Sequence, residues 1–254
     1  MPDERIELPA AYELIVFERI ESLRAEAVRL ANQDADEGTI VWAHTQDRAQ
    51  ARASTTWENI WICGEEDLHC SIILRPDFSI EKYHQILVVA ATSLGNAIAG
   101  YLSPMIALAY GWPNKLLIAN HKIAGLWMDV DPAQAEWLIV TCAVNIKHSP
   151  NDFSIAAMSI SDAEGGTELT ASQLLESYAR EFISQINKWD DRGFHYILKQ
   201  WKGRMNGIEK HCNFRVGMEE YAGVCASIDD DGAVCFTEES GKAQCLSIEQ
   251  YMGI

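Results

Sequence analysis

Hydrophobic and polar positions along the chain alternate between a period of two and a period near 3.6, the spacings of strand and helix. Residues 12–20 and 38–46 read as strands, and between them "SLRAEAVRLANQ" (22–33) puts Leu23, Ala27 and Leu30 on one helical face with Ser22 as N-cap. Two more strands are predicted at 60–63 and 68–76, the second stopped by Pro76. The stretch 79–102 is apolar on a wide stripe and opens with a serine, which predicts a buried helix. Strands at 115–119 and 122–130 are joined by Asn120-His121, where asparagine tolerates the positive φ of a tight turn. A strand at 136–146 follows, and then a polar loop with Gly165-Gly166, an amphipathic helix at 170–189 and a shorter helix at about 194–202. Beyond residue 213 the texture turns to short strands around "DDDG" (229–232) and "ESGK" (239–242), a small β-module. The pattern contains no internal repeat and no low-complexity tract.

The chain has 254 residues, 48% of them hydrophobic, which suffices for a sizeable core. Its 20 Lys and Arg against 37 Asp and Glu give a formal charge of −17, which repels nucleic acid and anionic membrane. The acidic opening lacks the basic and apolar regions of a signal peptide, and no apolar run is long enough to span a bilayer. These features predict a soluble, cytoplasmic protein with neither nucleic acid nor membrane as partner. The seven cysteines include no Cys-x-x-Cys pair and are expected to be reduced and mostly buried.

Chemical signatures of the commonest kinds are missing: there is no Walker A loop, no G-x-G-x-x-G, no H-E-x-x-H and no G-x-S-x-G. The seven histidines are scattered, and the pairs His69-Cys70 and His211-Cys212 sit where strand neighbours point to opposite faces. No metal ligand set is predicted from spacing.

The blocks "GTIVWAHTQ", "SIILRP", "GWPNKLLIANHKIAGLW", "VTCAVNI" and "GVCASIDDDGAVCF" follow one another as in the biotin/lipoate A/B protein ligase superfamily. The chain most resembles the catalytic and C-terminal parts of biotin–protein ligases, without the N-terminal DNA-binding domain that some of them carry. The resemblance implies an α+β fold: a mixed central sheet flanked by helices, like that of class II aminoacyl-tRNA synthetases, over 1–205, and a small SH3-like β-module over 206–254. It implies use of ATP with Mg²⁺ to activate a carboxylic acid (biotin, lipoate or octanoate) as an acyl-adenylate. The acyl group then passes to a lysine of a carrier-protein domain, and a homodimer is compatible with the family pattern.

Negative charge accumulates where carboxylate meets phosphate, so this chemistry asks for cations and fixed dipoles. By resemblance Lys122, in the K-x-A-G element completed by Gly125, holds the acyl carboxylate and phosphate, and Arg52 covers the adenylate. A lone lysine beside a hairpin turn is ordinarily a solvated side chain; Gly125 and the preceding Trp112-Pro113-Asn114 are what single it out. Asn114, Lys115 and Asn145 fall on the nucleotide side, while Ser22, Gln46, Trp112 and Gly125 fall on the acid side. As isolated residues Asn114 and Asn145 would be turn and strand-end amides, Gln46 the end of an exposed strand, and Trp112 a packing residue with Pro113 fixing the turn.

Departures from the family pattern are equally specific. The Gly/Arg-rich loop has become Ala49-Gln50-Ala51-Arg52-Ala53-Ser54, a stiffer segment of higher helix propensity. The K-W-P-N-D element reads Gly111-Trp112-Pro113-Asn114-Lys115, so a metal-binding aspartate is replaced by a cation. Ser22-Leu23-Arg24 stands where biotin ligases place Ser-Thr-Asn, and each hydrogen bond lost to the acid's head group costs about 1–3 kcal/mol. The region "NDFSIAAMSISDAEGG" has no cysteine, which disfavours a thioester intermediate. Two functions are compatible with this balance: an ATP-dependent acid–protein ligase, and a non-catalytic relative that binds an acyl ligand.

Overall fold

The computed structural model describes residues 6–47, 64, 66–149 and 156–254. Eight strands form a mixed sheet in the order β1-β2-β3-β7-β6-β5-β4-β8. They are β1 (Glu13–Ile20), β2 (Thr39–Gln46), β3 (Leu68–Leu74), β4 (Leu108–Gly111), β5 (Lys115–Ile118), β6 (His121–Val130), β7 (Leu138–Val144) and β8 (Met205–Asn206). Four further strands, β9 (His211–Val216), β10 (Glu219–Ile228), β11 (Val234–Thr237) and β12 (Ala243–Leu246), make a separate antiparallel sheet. The fold is α+β, as the resemblance implied.

β1 and β2 are parallel and are joined by α1 (Leu23–Ala31), while β2, β3, β7, β6, β5 and β4 pair antiparallel in that order. Ser22 caps α1 by accepting the Ala25 N–H, as its position before the apolar period predicts. One face of the sheet is covered by α2 (Tyr83–Ala99), α4 (Ala171–Arg192) and α5 (Phe194–Lys202), which pack against one another and against the even-numbered side chains of β3 and β7. Thr170 and Gln173 form a reciprocal capping box that starts α4. The other face is partly covered by α1, whose Leu23, Ala27 and Ala31 pack on Val41, Ala43, Ile73 and Ile139. The rest of that face carries the candidate site.

Several elements differ from the pattern reading, each for a local reason. The buried helix starts with a 3₁₀ turn at Ile80–Lys82 capped by Ser79, and its α-helical part ends at Ala99, short of 102. The β5–β6 turn is centred on Ala119-Asn120, with φ of 48° and 64°, and not on Asn120-His121. Both central positions of such a turn need positive φ, and His121 already starts β6. β3 ends at Leu74, two residues before Pro76. β4, β8, α3 (Ile160–Glu164) and α6 (Ile248–Met252) are too short to show a period. The strand expected at 60–63 lies outside the described residues.

The expectation of reduced cysteines is overturned by a Cys235–Cys245 disulfide linking β11 to β12, where the two residues are directly paired. A cross-strand pair places the two thiols side by side, which pattern analysis of cysteine spacing does not detect. Cys70, Cys142 and Cys225 are buried free thiols and Cys212 is half-buried.

The two sheets share one continuous apolar core, from Ile40 and Leu87 to Val234, Phe236 and Ile248. Trp112 lies at the seam: its indole N–H donates to the Gly232 carbonyl at 2.8 Å, and its ring packs edge-on against Phe214 and Tyr251. Among the described residues no helix is long and apolar enough to cross a membrane.

Candidate active site

The site is built on β6. Lys122 and Gly125 are three residues apart, an odd spacing that would send them to opposite faces of a regular strand. β5 pairs Leu117 with Lys122 but Leu116 with Ala124, so Ile123 is an extra residue, a β-bulge. Ile123 and Ala124 are both fully buried in the helix-covered core, which leaves Lys122 and Gly125 together on the open face. A Cβ on Gly125 would stand 3.0 Å from Lys122 Cε, 3.1 Å from Nζ and 3.3 Å from the Trp127 ring. The lysine therefore lies across its own glycine, and its ammonium is 5.5 Å from the Trp127 ring centroid.

Around Lys122 the backbone is held on both sides. Its N–H donates to Ala156 O and its carbonyl accepts from Met158 N–H, forming a parallel bridge to Ala157. Asn145, the residue after β7, holds this segment: its Nδ2 donates to Met158 O at 3.1 Å, and its backbone N–H donates to Ile123 O. Asn114 is anchored the same way, with Nδ2 donating to Leu126 O at 2.7 Å and its own carbonyl accepting the Leu126 N–H. The side-chain oxygens of both asparagines are buried and have no hydrogen-bond partner among the described residues. Buried acceptors of this kind are rare and suit an incoming donor, such as a purine amino group or an ammonium.

Lys115 is directly paired with Gly125 across β5 and β6, so it stands on the same face as Lys122. Burial, and next the Lys115 charge, lowers the Lys122 pKa to about 7. On the flanks of this pair, Gly111 opposes Lys115 and Ala143 opposes Gly125, followed by His69 on β3. His69 is buried, and burial pushes its pKa down to about 3, so it is a neutral imidazole.

The adjoining row is polar at its centre: Ser71 and Thr141 share a 2.7 Å hydrogen bond, and Thr141 is paired with Trp127. Beyond it, α1 closes the face. Arg24 reaches from α1 to Asp129 of β6 through two hydrogen bonds of 2.5 and 2.7 Å, and Leu23 is turned into the α1 core. Gln46, ending β2, accepts the Leu23 N–H at 3.2 Å. Ser22 and Gln46 thus meet at the start of α1, while Asn114, Lys115, Lys122, Gly125 and Asn145 gather around β5, β6 and the end of β7.

Trp112 stands apart from its sequence-based assignment to the acid: its side chain is spent on the second sheet, because it follows the last residue of β4 at the seam. Arg52 lies outside the described residues. Trp127, the Arg24–Asp129 pair and the Ala156–Met158 segment had no motif to point to them. The alternation of β6 alone would have found Trp127, had the bulge been known.

A divalent metal does not fit the residues of this site. No group of three His, Cys, Asp or Glu among the described residues could hold one, and Asp129, the acid on this face of β6, is already taken by Arg24. Lys115 occupies the position that the resemblance gives to a metal-binding aspartate, and an ammonium has no lone pair to offer.

A model of the biotin/lipoate A/B protein ligase family matches residues 49–203. The chain belongs to this family. Its relatives include the bifunctional ligase/repressor BirA of Bacillus subtilis (strain 168), 26% identical over an alignment 251 residues long that covers 94% of this chain and 74% of the relative. Among solved structures, a biotin protein ligase-like protein of unknown function from Silicibacter sp. TM1040 superposes with a TM-score of 0.78 at 20% identity, covering 98% of this chain and 99% of the other. The biotin protein ligase of Aquifex aeolicus in complex with biotin and ATP gives a TM-score of 0.76 at 18% identity, over 92% and 94% of the two chains. At these identities the two structures show the shared biotin/lipoate ligase fold.

Proposed function

We propose that this chain is an ATP-dependent acid–protein ligase, with residues 1–205 as the ligase unit and 206–254 as a small β-unit packed on it. The observation that carries the reading is the Lys122–Gly125 arrangement: an ammonium laid over a glycine beside the Trp127 ring, bracketed by Asn114 and Asn145.

In the first step a carboxylate oxygen of the acid attacks the α-phosphorus of ATP, and the bond to pyrophosphate breaks. Lys122 offsets the charge that builds between the two anions, which in a partly desolvated site is worth far more than in water. Asn114 and Asn145 fix the nucleotide side. In the second step a carrier lysine amine attacks the acyl carbon, AMP leaves with the bonding electrons, and the amine gives up a proton. No step is drawn through Mg²⁺.

The acid extends from Lys122 over Trp127 toward Ser71 and Thr141. Leu23 and Arg24 take no part in binding a ureido ring, since both are committed to α1 packing and to Asp129. This favours biotin-like acids with few head-group hydrogen bonds, such as lipoate or octanoate. The Aquifex relative is named for its biotin and ATP complex, which keeps biotin itself in the panel.

Purified protein with ATP should exchange labelled pyrophosphate into ATP when given biotin, lipoate or octanoate, and Lys122→Ala should abolish the exchange. No exchange with any acid overturns the ligase reading. The second reading, a binding protein without nucleotide chemistry, is favoured by the glycine-free loop at 49–54 and by Lys115 standing where the family pattern has an aspartate. An acid that raises the melting temperature equally with and without ATP, with no exchange, would support it.

A further inference from the structure

We infer that Lys115 is a second phosphate-binding cation of this site, supplying beside Lys122 the counter-charge that a divalent metal would otherwise carry. The inference rests on the ligase reading above.

The geometry is that of one row across the sheet, Gly111–Lys115–Gly125–Ala143, read directly from strand pairing. Side chains paired across a strand stand on one face about 5 Å apart at Cβ. Between Lys115 and His69, which ends the row on β3, the positions bear nothing larger than a methyl group, so Lys115 is the one cationic side chain rooted there. Lys122, displaced onto the same face by the Ile123 bulge, lays its ammonium over Gly125, the next position along. Two cationic side chains thus rise from the same face of β5 and β6, on either side of Gly125.

Like charges brought together beside buried surface repel more strongly than in water. Strand pairing puts both lysines on one face, and the Lys122 pKa, lowered first by burial and next by the Lys115 charge, agrees with that placement. A multivalent anion placed between two cations on one face gains charge-assisted contacts from both. Phosphate fits this description, and a single carboxylate does not need two cations.

The same residues disfavour the usual division of labour. In the absence of a carboxylate cluster among the described residues, a metal has no protein anchor here. A fixed ammonium performs the electrostatic part of the metal's work without ligand exchange. It also repels a metal cation that accompanies the nucleotide.

The test is equilibrium binding of AMP and of inorganic pyrophosphate to the full chain in EDTA, followed by AMP binding in Mg²⁺. The variants are Lys115→Ala, Lys115→Arg and Lys115→Asp, each checked for an unchanged melting temperature. Lys115 is half-buried at the start of β5, so these variants should fold. We expect the wild type to bind both anions without metal, with AMP affinity changed less than about threefold by Mg²⁺. Lys115→Ala should weaken both by about tenfold or more, a loss of the size a charge-assisted contact gives, and Lys115→Arg should largely restore them. Lys115→Asp should bind poorly in EDTA and recover with Mg²⁺.

Two outcomes overturn the inference: wild-type protein that binds neither anion without Mg²⁺, or Lys115→Ala protein that binds like the wild type. Binding that depends on Lys115 together with no acid-dependent pyrophosphate exchange would instead overturn the ligase reading alone.

Discussion

Lys122 joins the site's chemistry to a measurable proton equilibrium. An unfolded chain keeps this lysine charged until near its ordinary value of 10.5, whereas in the fold it releases its proton at about 7. Between those limits the unfolded state binds more protons than the folded one, so this residue's contribution to stability rises with pH. Below pH 7 both states are protonated and the full burial penalty applies. The wild type should therefore gain melting temperature relative to Lys122→Met as pH rises from 7 toward 10. Parallel curves for the two proteins would contradict the lowered pKa. Lys115, the charged neighbour paired with Gly125, should damp this gain when replaced by alanine.

At the scale of elements, α1 is tied to β6 by Arg24 and Asp129, residues 105 apart in sequence. Asp129 is 7% exposed, so removing its partner strands a carboxylate away from water. Arg24→Ala should cost about 2–3 kcal/mol, less than a fully buried pair because Arg24 itself is half-exposed, and Arg24→Met with Asp129→Leu should recover most of it. Urea denaturation of the single and double variants checks this, and a double variant as unstable as the single one would contradict it. What the sequence revealed at this scale follows the length of the period: α1, α4 and β2 show their boundaries through Ser22, Thr170 and the apolar run of 39–43. β4 and β8 are too short to repeat anything. The bulge at Ile123 is invisible because its evidence is in β5, where Leu116 and Leu117 change pairing register. The three-residue spacing of the K-x-A-G element therefore records a change of phase, and a pattern that searches for lysine and glycine alone omits the strand that makes them neighbours.

For the whole molecule, the continuous core predicts that the two sheets unfold together. Trp112→Ala removes a buried indole, its hydrogen bond to Gly232 and two aromatic contacts, and should cost about 3–5 kcal/mol. The wild type should show one transition, coincident by far-ultraviolet circular dichroism and tryptophan fluorescence. Trp112→Ala should split it or shift it by that amount, and an unmoved single transition would contradict the seam. The resemblance implied both sheets but gave Trp112 to the acid, because a motif records which residues occur together and not which way each one turns. A single residue, Pro113, separates Trp112 from Asn114, yet one side chain bonds to Gly232 of the second unit and the other to Leu126 of β6. In the making of chimeras between relatives, then, the natural cut before the last four strands divides a lock from its key. Phe214, Gly232 and Tyr251 would have to travel with Trp112, or the hairpin that carries Asn114 and Lys115 would be left without the support that aims it.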